Sequence, residues 1–116
     1  ILLFMIEEFK FGFFRINGKE YYDDIKILGS TIKQWPDRER HDVKLINLKD
    51  IIEFNPELLI VGIGASGLLK VPKEIEQHLR QKNIKLVVQK TTEACESYHK
   101  DSTAKKKVAA LFPGTC

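Results

Sequence analysis

The sequence predicts one α/β domain on a mixed sheet, with the element order β-β-α-β-α-β-α-β. Three observations carry this. Asn17-Gly18 separates two aromatic-rich runs, the strongest local sign of a hairpin, because a two-residue turn needs positive φ at both positions. Glu57–Ile63 and Ile84–Val88 are continuous apolar runs, as expected of strands covered on both faces. Helical patterns alternate with these strands, which implies parallel neighbours joined by right-handed crossovers, while the early hairpin adds an antiparallel part. At 116 residues and 43% hydrophobic content, the chain fits a single small soluble domain. Such a domain buries roughly two-thirds of its unfolded surface.

The elements follow in order. Residues 1–4 are apolar and precede Met5; they lack the basic start and the length of a signal peptide, so the domain is taken as 5–116. Phe9–Ile16 and Lys19–Leu28 form the hairpin strands. The turn sets Ile16 opposite Lys19, Arg15 opposite Glu20, Phe14 opposite Tyr21 and Phe13 opposite Tyr22. Opposite charges and aromatics then meet across the strands. Gly29–Ile46, rich in turn and basic residues, is expected to be a long irregular segment, of the kind that leans functional. Asn47 is an N-cap candidate for a short helix that presents Leu48, Ile51 and Ile52 on one face and ends at Asn55-Pro56.

Glu57–Ile63 is a central strand and Gly64–Lys70 a glycine-rich loop. Pro72 suits the first turn of a second helix, with Val71, Ile75 and Leu79 on one face and Asn83 as its stop. Ile84–Val88 is the next strand. Thr91 or Thr92 can cap a third helix that runs to about Lys105, and Val108–Phe112 is the last strand.

Gly62-Ile63-Gly64-Ala65-Ser66-Gly67 matches the dinucleotide fingerprint G-x-G-x-x-G, directly after a strand. The mechanism needs a helix opening within the glycines and an acidic residue about 20 positions on. Here Pro72 starts the helix late, and Val87-Val88-Gln89 stands where the acid belongs. No bound cofactor is therefore expected. The glycines read as a tight turn with close backbone packing. The alternative is an anion site made from loop amides and Lys70. Ser66 lacks the second glycine of the G-x-S-x-G elbow and reads as a turn hydroxyl.

Cys95 and His99 share a helix face, but no second ligand pair accompanies them, so a metal site is not expected. Cys95 and Tyr98 read as core. His41 reads as surface and His78 as half-buried. Cys116 is flanked by polar residues and open to reaction if exposed. Trp35 reads either as a plug for the long loop or, with Arg38, as an anchor for a partner. Net charge is +3, all of it in Lys100–Lys107, which reads as solvated surface; nucleic acid is an unfavoured partner. The apolar runs are too short to span a bilayer. Two free thiols without disulfide spacing fit a reducing, cytoplasmic setting.

Several segments together resemble a known family. They are Phe9-Lys10-Phe11-Gly12, the Trp35 loop, Leu59–Gly64, Leu69-Lys70-Val71-Pro72, Thr92-Glu93-Ala94 and Phe112–Cys116. The likeness runs in order over residues 5 to 116. The family is a small α/β domain of unknown biochemical function. It is shared by archaeal and bacterial hypothetical proteins, the adipogenesis-associated vertebrate protein and a mitochondrial respiratory complex I assembly factor. The resemblance implies a three-layer fold with a mixed central sheet and supplies no established reaction or catalytic residues. The Trp35 loop departs from relatives in length and composition.

Two function classes stand at this point. One is a non-enzymatic binding or assembly module acting through a protein partner, with a second copy among the candidates through a free sheet edge. The other is a small-molecule or anion-binding protein, conceivably an enzyme. The residues expected to matter are Gly62, Gly64, Ser66 and Lys70 in the loop, and Trp35 with Arg38.

Overall fold

The computed structural model describes residues 4–104 and 106–116. The hairpin forms with the expected register: Phe13–Ile16 (β2) pairs antiparallel with Lys19–Tyr22 (β3), Ile16 opposite Lys19 and Phe13 opposite Tyr22. The strands are shorter than the sequence suggests. A turn at Phe11-Gly12 detaches Ile6–Lys10 (β1), which folds back on β2. The second run breaks at Asp23, whose φ of 65° no strand accommodates. Its remainder, Ile25–Leu28 (β4), enters a different sheet. The expected single mixed sheet is thus two sheets, a three-stranded β1-β2-β3 meander and a five-stranded mixed sheet.

The expected irregular segment also contains structure. Gly29-Ser30 makes a second tight turn, and Thr31–Gln34 (β5) pairs antiparallel with β4. Residues 45–48 form a 3-10 turn that runs into Lys49–Phe54 (α1). Asn47 is not the cap of that helix. It is fully buried inside the 3-10 turn, accepts the Lys44 amide at 2.8 Å and donates to the Asp37 carbonyl at 3.2 Å.

Leu58–Gly62 (β6), Lys73–Gln81 (α2), Lys85–Gln89 (β7), Thr91–Thr103 (α3) and Val108–Phe112 (β8) follow as the apolar pattern predicts. Lys105 of the charged cluster lies outside the described residues. The five-stranded sheet runs β5-β4-β8-β6-β7; β6 is parallel to both β7 and β8, while β4 is antiparallel to β8.

Side chains alternate across this sheet and divide the core in two. Leu58, Ile60, Val108, Ala110 and Phe112 face α3 and the meander, where Phe14 stacks on Phe112 with ring centroids 6.0 Å apart. Leu59, Val61, Ala109 and Leu111 face α1 and α2, packing on Leu48, Ile51, Ile75 and Leu79. Elements therefore cover both sheet faces. Because β7 is added on one side of β6 and β8 on the other, the strand order reverses at β6, and a crevice opens between the carboxyl ends of the parallel strands β6 and β8. In open α/β sheets that crevice is where ligands bind.

Candidate functional site

The crevice between β6 and β8 is occupied by the chain itself. Gly64 sits at its centre with φ of +96°, and a Cβ there would lie 2.3 Å from the Cys116 carbonyl oxygen. The Ala65 amide donates to that oxygen at 3.0 Å. Thr91 closes the other side. Its Oγ1 accepts the Gly64 amide at 2.8 Å, and its own amide donates to the Gly64 carbonyl at 3.2 Å. This corrects the expected capping role of Thr91: Lys90 occupies the N-cap of α3, and the Thr91 hydroxyl is used by the loop. Gly62 permits the approach, because a Cβ there would meet Thr91 Oγ1 at 2.7 Å. The amides of Gly67, Leu69 and Lys70 donate to the carbonyls of Gly64, Ile63 and His41. Ser66 and the Lys70 side chain stay exposed at the rim.

The long loop wraps over this end of the sheet. Lys70 donates its amide to His41 at 2.7 Å and accepts from Val43 at 3.0 Å, stitching residues 41–43 to the glycine loop. Trp35 is 2% exposed and packs in the core on the α1 and α2 face. It is the plug of the two readings and offers no surface to a partner. Arg38 is half-buried and placed next to the Gly64 crevice. Its Nε donates to Asp24 Oδ2 at 2.7 Å, and its Nη atoms reach the Arg40 carbonyl, Thr115 Oγ1 and, at 2.8 Å, Cys116 Sγ. Asp24 Oδ1 accepts the Gly114 amide at 2.8 Å. One carboxylate and one guanidinium thus hold the whole 114–116 segment against the loop.

His41, expected as plain surface, is exposed as a residue yet sets Nδ1 3.2 Å from Cys116 Sγ. Cys116 is 4% exposed. Burial pushes its thiol above the ordinary value, Arg38 pulls it down and Asp24 adds to the rise; the net shift is upward. Sγ therefore carries its proton near neutral pH. Asp24, His41 and Thr115 were not singled out as partners by the sequence, since their meeting depends on contacts between residues far apart in the chain.

Cys95 behaves as core: burial, with Glu96 adding, pushes its thiol up to about 12. His99 is separate from it in role, because its Nε2 accepts the Ile6 amide at 2.9 Å and ties the meander to α3. In the charged cluster, Lys106 pairs with Asp101 at 3.5 Å and Lys107 lies 4.6 Å over the Phe54 ring. No group of His, Cys, Asp and Glu among the described residues could hold a metal ion. No helix among them is long and apolar enough to cross a membrane.

A family model described as protein of unknown function (DUF498/DUF598) matches residues 6–113. The chain belongs to that family. This agrees with the resemblance carried by the strand, loop and glycine segments. A curated relative from Danio rerio, NADH dehydrogenase (ubiquinone) 1 alpha subcomplex assembly factor 3, is 29% identical over 103 residues. That match covers 86% of this chain and 59% of the relative, so the chain spans about three-fifths of that protein's length.

Solved structures share the fold. One described as an outer membrane protein from Bartonella henselae superposes with a TM-score of 0.85 at 23% identity, covering 97% of this chain and 96% of that one. A conserved hypothetical protein from Pyrococcus horikoshii OT3 superposes with a TM-score of 0.84 at 25% identity, covering 96% of this chain and 98% of that one.

Proposed function

We propose that this chain is an assembly module that works by docking a protein partner. The observation that carries the reading is an apolar hollow outside the glycine crevice. Leu45 and Ile46, on the 3-10 turn, are 48% and 64% exposed, and Ile52, Lys49, Glu53 and the half-buried His78 complete the rim. Adjacent exposed aliphatic side chains with a charged border have the composition of an interaction surface. A relative named as an assembly factor supports the same reading. Trp35 and Arg38, first considered as the anchor, serve the core and the 114–116 clamp, so the docking role falls to Leu45 and Ile46.

The test is photo-crosslinking from position 49, on the rim of the hollow, in a cell extract. The comparison is a Leu45→Asp, Ile46→Asp double variant. A discrete crosslinked protein (a second copy of this chain included) that disappears in the double variant supports the reading. The same crosslinks in both proteins overturn it.

A second reading places a small anion at the Gly62–Lys70 loop, favoured by the exposed Ser66 and Lys70 at the carboxyl end of β6. Inorganic phosphate that raises the melting temperature of the parent protein and not of Lys70→Ala supports it; no shift in either removes it.

A further inference from the structure

The five-stranded sheet ends in two edges, β5 and β7, and the meander in two more, β1 and β3. Three of the four are guarded in the ways natural edges are. β1 has a bulge between Ile6 and Glu8 and gives its Ile6 amide to His99 Nε2. β3 has four residues, Lys19 and Glu20 among them. β5 also has four, and its Lys33 is held by Asp50 at 2.9 Å. β7 is different. It runs five residues against β6 without a break in register, and Leu86-Val87-Val88 is its uncharged centre. Val88 is 40% exposed.

The ladder fixes which way the backbone of β7 points. The Lys85 amide donates to the Glu57 carbonyl, and the Gln89 carbonyl accepts from Ile63. Alternate residues of a parallel strand bond the neighbour, so Lys85, Val87 and Gln89 face β6. Leu86 and Val88 turn amide and carbonyl outward, and among the described residues these four groups have no partner. A groove of about 460 Å³ runs beside this edge, lined by Glu76 and Arg80 of α2 and by Ile84 and Leu86.

We infer that β7 is the pairing edge for a second copy of this chain, joined antiparallel about a two-fold axis at Val87. Self-complementarity selects this occupant. With Val87 opposite Val87, Leu86 stands opposite Val88 in both directions. Every outward amide then meets an outward carbonyl, and none is left over. A two-fold at Leu86 needs the Ile84 amide, which is already given to the Leu79 carbonyl at 3.0 Å. A two-fold at Val88 needs the Lys90 carbonyl, which already accepts from Ala94 at 2.9 Å. The charges agree with the Val87 axis. Lys85 comes opposite Gln89 rather than a second lysine. Gln89 Oε1 accepts from Ser97 at 2.7 Å and has a second lone pair for that ammonium. Lys90 is drawn back over Gly67, where a Cβ would lie 3.4 Å from its Cε. On the other face the second copy's Val88 lies beside Leu86, at the groove. The edge shares no residue with the Leu45–Ile46 hollow, so the pairing holds whether or not that hollow docks a partner.

The test is sedimentation equilibrium of the intact protein from about 10 μM to about 1 mM, the range in which a small interface associates. The parent should rise from the mass of one chain toward that of two. Val88→Lys places a charge against Leu86 of the other copy at an exposed position, so it should keep the parent's melting temperature and weaken association at least about tenfold. Two cysteine variants read the register. Val87→Cys should link two chains under mild oxidation, because directly opposed residues of a non-hydrogen-bonded pair set their Cα atoms about 4.5 Å apart. Val88→Cys should not, because its two copies stand two positions out of register, beyond the roughly 7 Å span of a disulfide. Both native thiols are buried, so the parent supplies the background. One-chain mass for the parent at every concentration overturns the inference. So does association that survives Val88→Lys, or that is removed instead by the Leu45→Asp, Ile46→Asp double variant. Linking at position 88 in place of 87 also overturns it.

Discussion

Asp24 and Arg38 form an ion pair at 2.7 Å whose two side chains are nearly out of solvent. Its second carboxylate oxygen binds the Gly114 amide. The pair joins the start of β4, the long loop and the segment after β8. Asp24→Asn keeps the Gly114 acceptor and leaves Arg38 buried without its counter-charge. It should cost about 3 kcal/mol, read as a lower urea midpoint with an unchanged slope. A loss below about 1 kcal/mol would show that the pair behaves like an exposed one.

Glycine substitutions separate backbone strain from the Cys116 contact. Gly18 and Gly64 both have positive φ, but a Cβ at Gly18 meets nothing within 4 Å, while at Gly64 it strikes Cys116. Gly18→Ala should cost about 1 kcal/mol, the backbone part alone. Gly64→Ala should cost at least about 2 kcal/mol more, because the 114–116 segment must move. Equal losses in thermal melts would contradict the close packing.

His99 gives stability a pH dependence of known sign. Its Nε2 accepts the Ile6 amide, so that nitrogen carries no proton in the folded state. Burial lowers the imidazole pKa from the ordinary 6.5, with Glu96 pulling the other way. Glu7 and Glu8 line the same crevice. The unfolded chain then binds the proton more readily. The contribution is complete above the unfolded pKa and is lost as pH falls through the folded one. Urea midpoints should decline between about pH 7.5 and pH 5 more steeply for the parent than for His99→Gln. Parallel profiles would remove His99 from the account.

Trp35→Ala should destabilise by about 3–5 kcal/mol, the usual cost of emptying a core aromatic site. It should also free the long loop that carries Arg38 and His41. Faster proteolysis within residues 35–44 would accompany the loss. A surface role for Trp35 would leave melting and proteolysis as they are.

The hairpin register was legible because its determinants are local: Asn17-Gly18 sets the turn, and Arg15–Glu20 and Phe14–Tyr21 confirm it from neighbouring positions. The apolar runs of β6, β7 and β8 were legible for the same reason. The break at Asp23-Asp24 carried a signal, since two aspartates suit a strand poorly, but its purpose is set by Gly114 and Arg38. Pairing of β5 with β4 was hidden by the polar character of Thr31–Gln34, an edge strand that is mostly exposed. Thr91 and Asn47 have the chemistry of helix caps, yet distant backbone groups claim their side chains. The Cys116–His41–Arg38 cluster was illegible because no spacing along the chain encodes it.

The glycine segment is closed at its centre, with Thr91 Oγ1 on the Gly64 amide and the Cys116 carbonyl on the Ala65 amide. Amide exchange at Gly64 and Ala65, followed by NMR with and without inorganic phosphate or a nucleotide, tests it most directly. The closed crevice predicts slow exchange at both residues, unchanged by either additive. Fast exchange that slows when phosphate or nucleotide is added would contradict it.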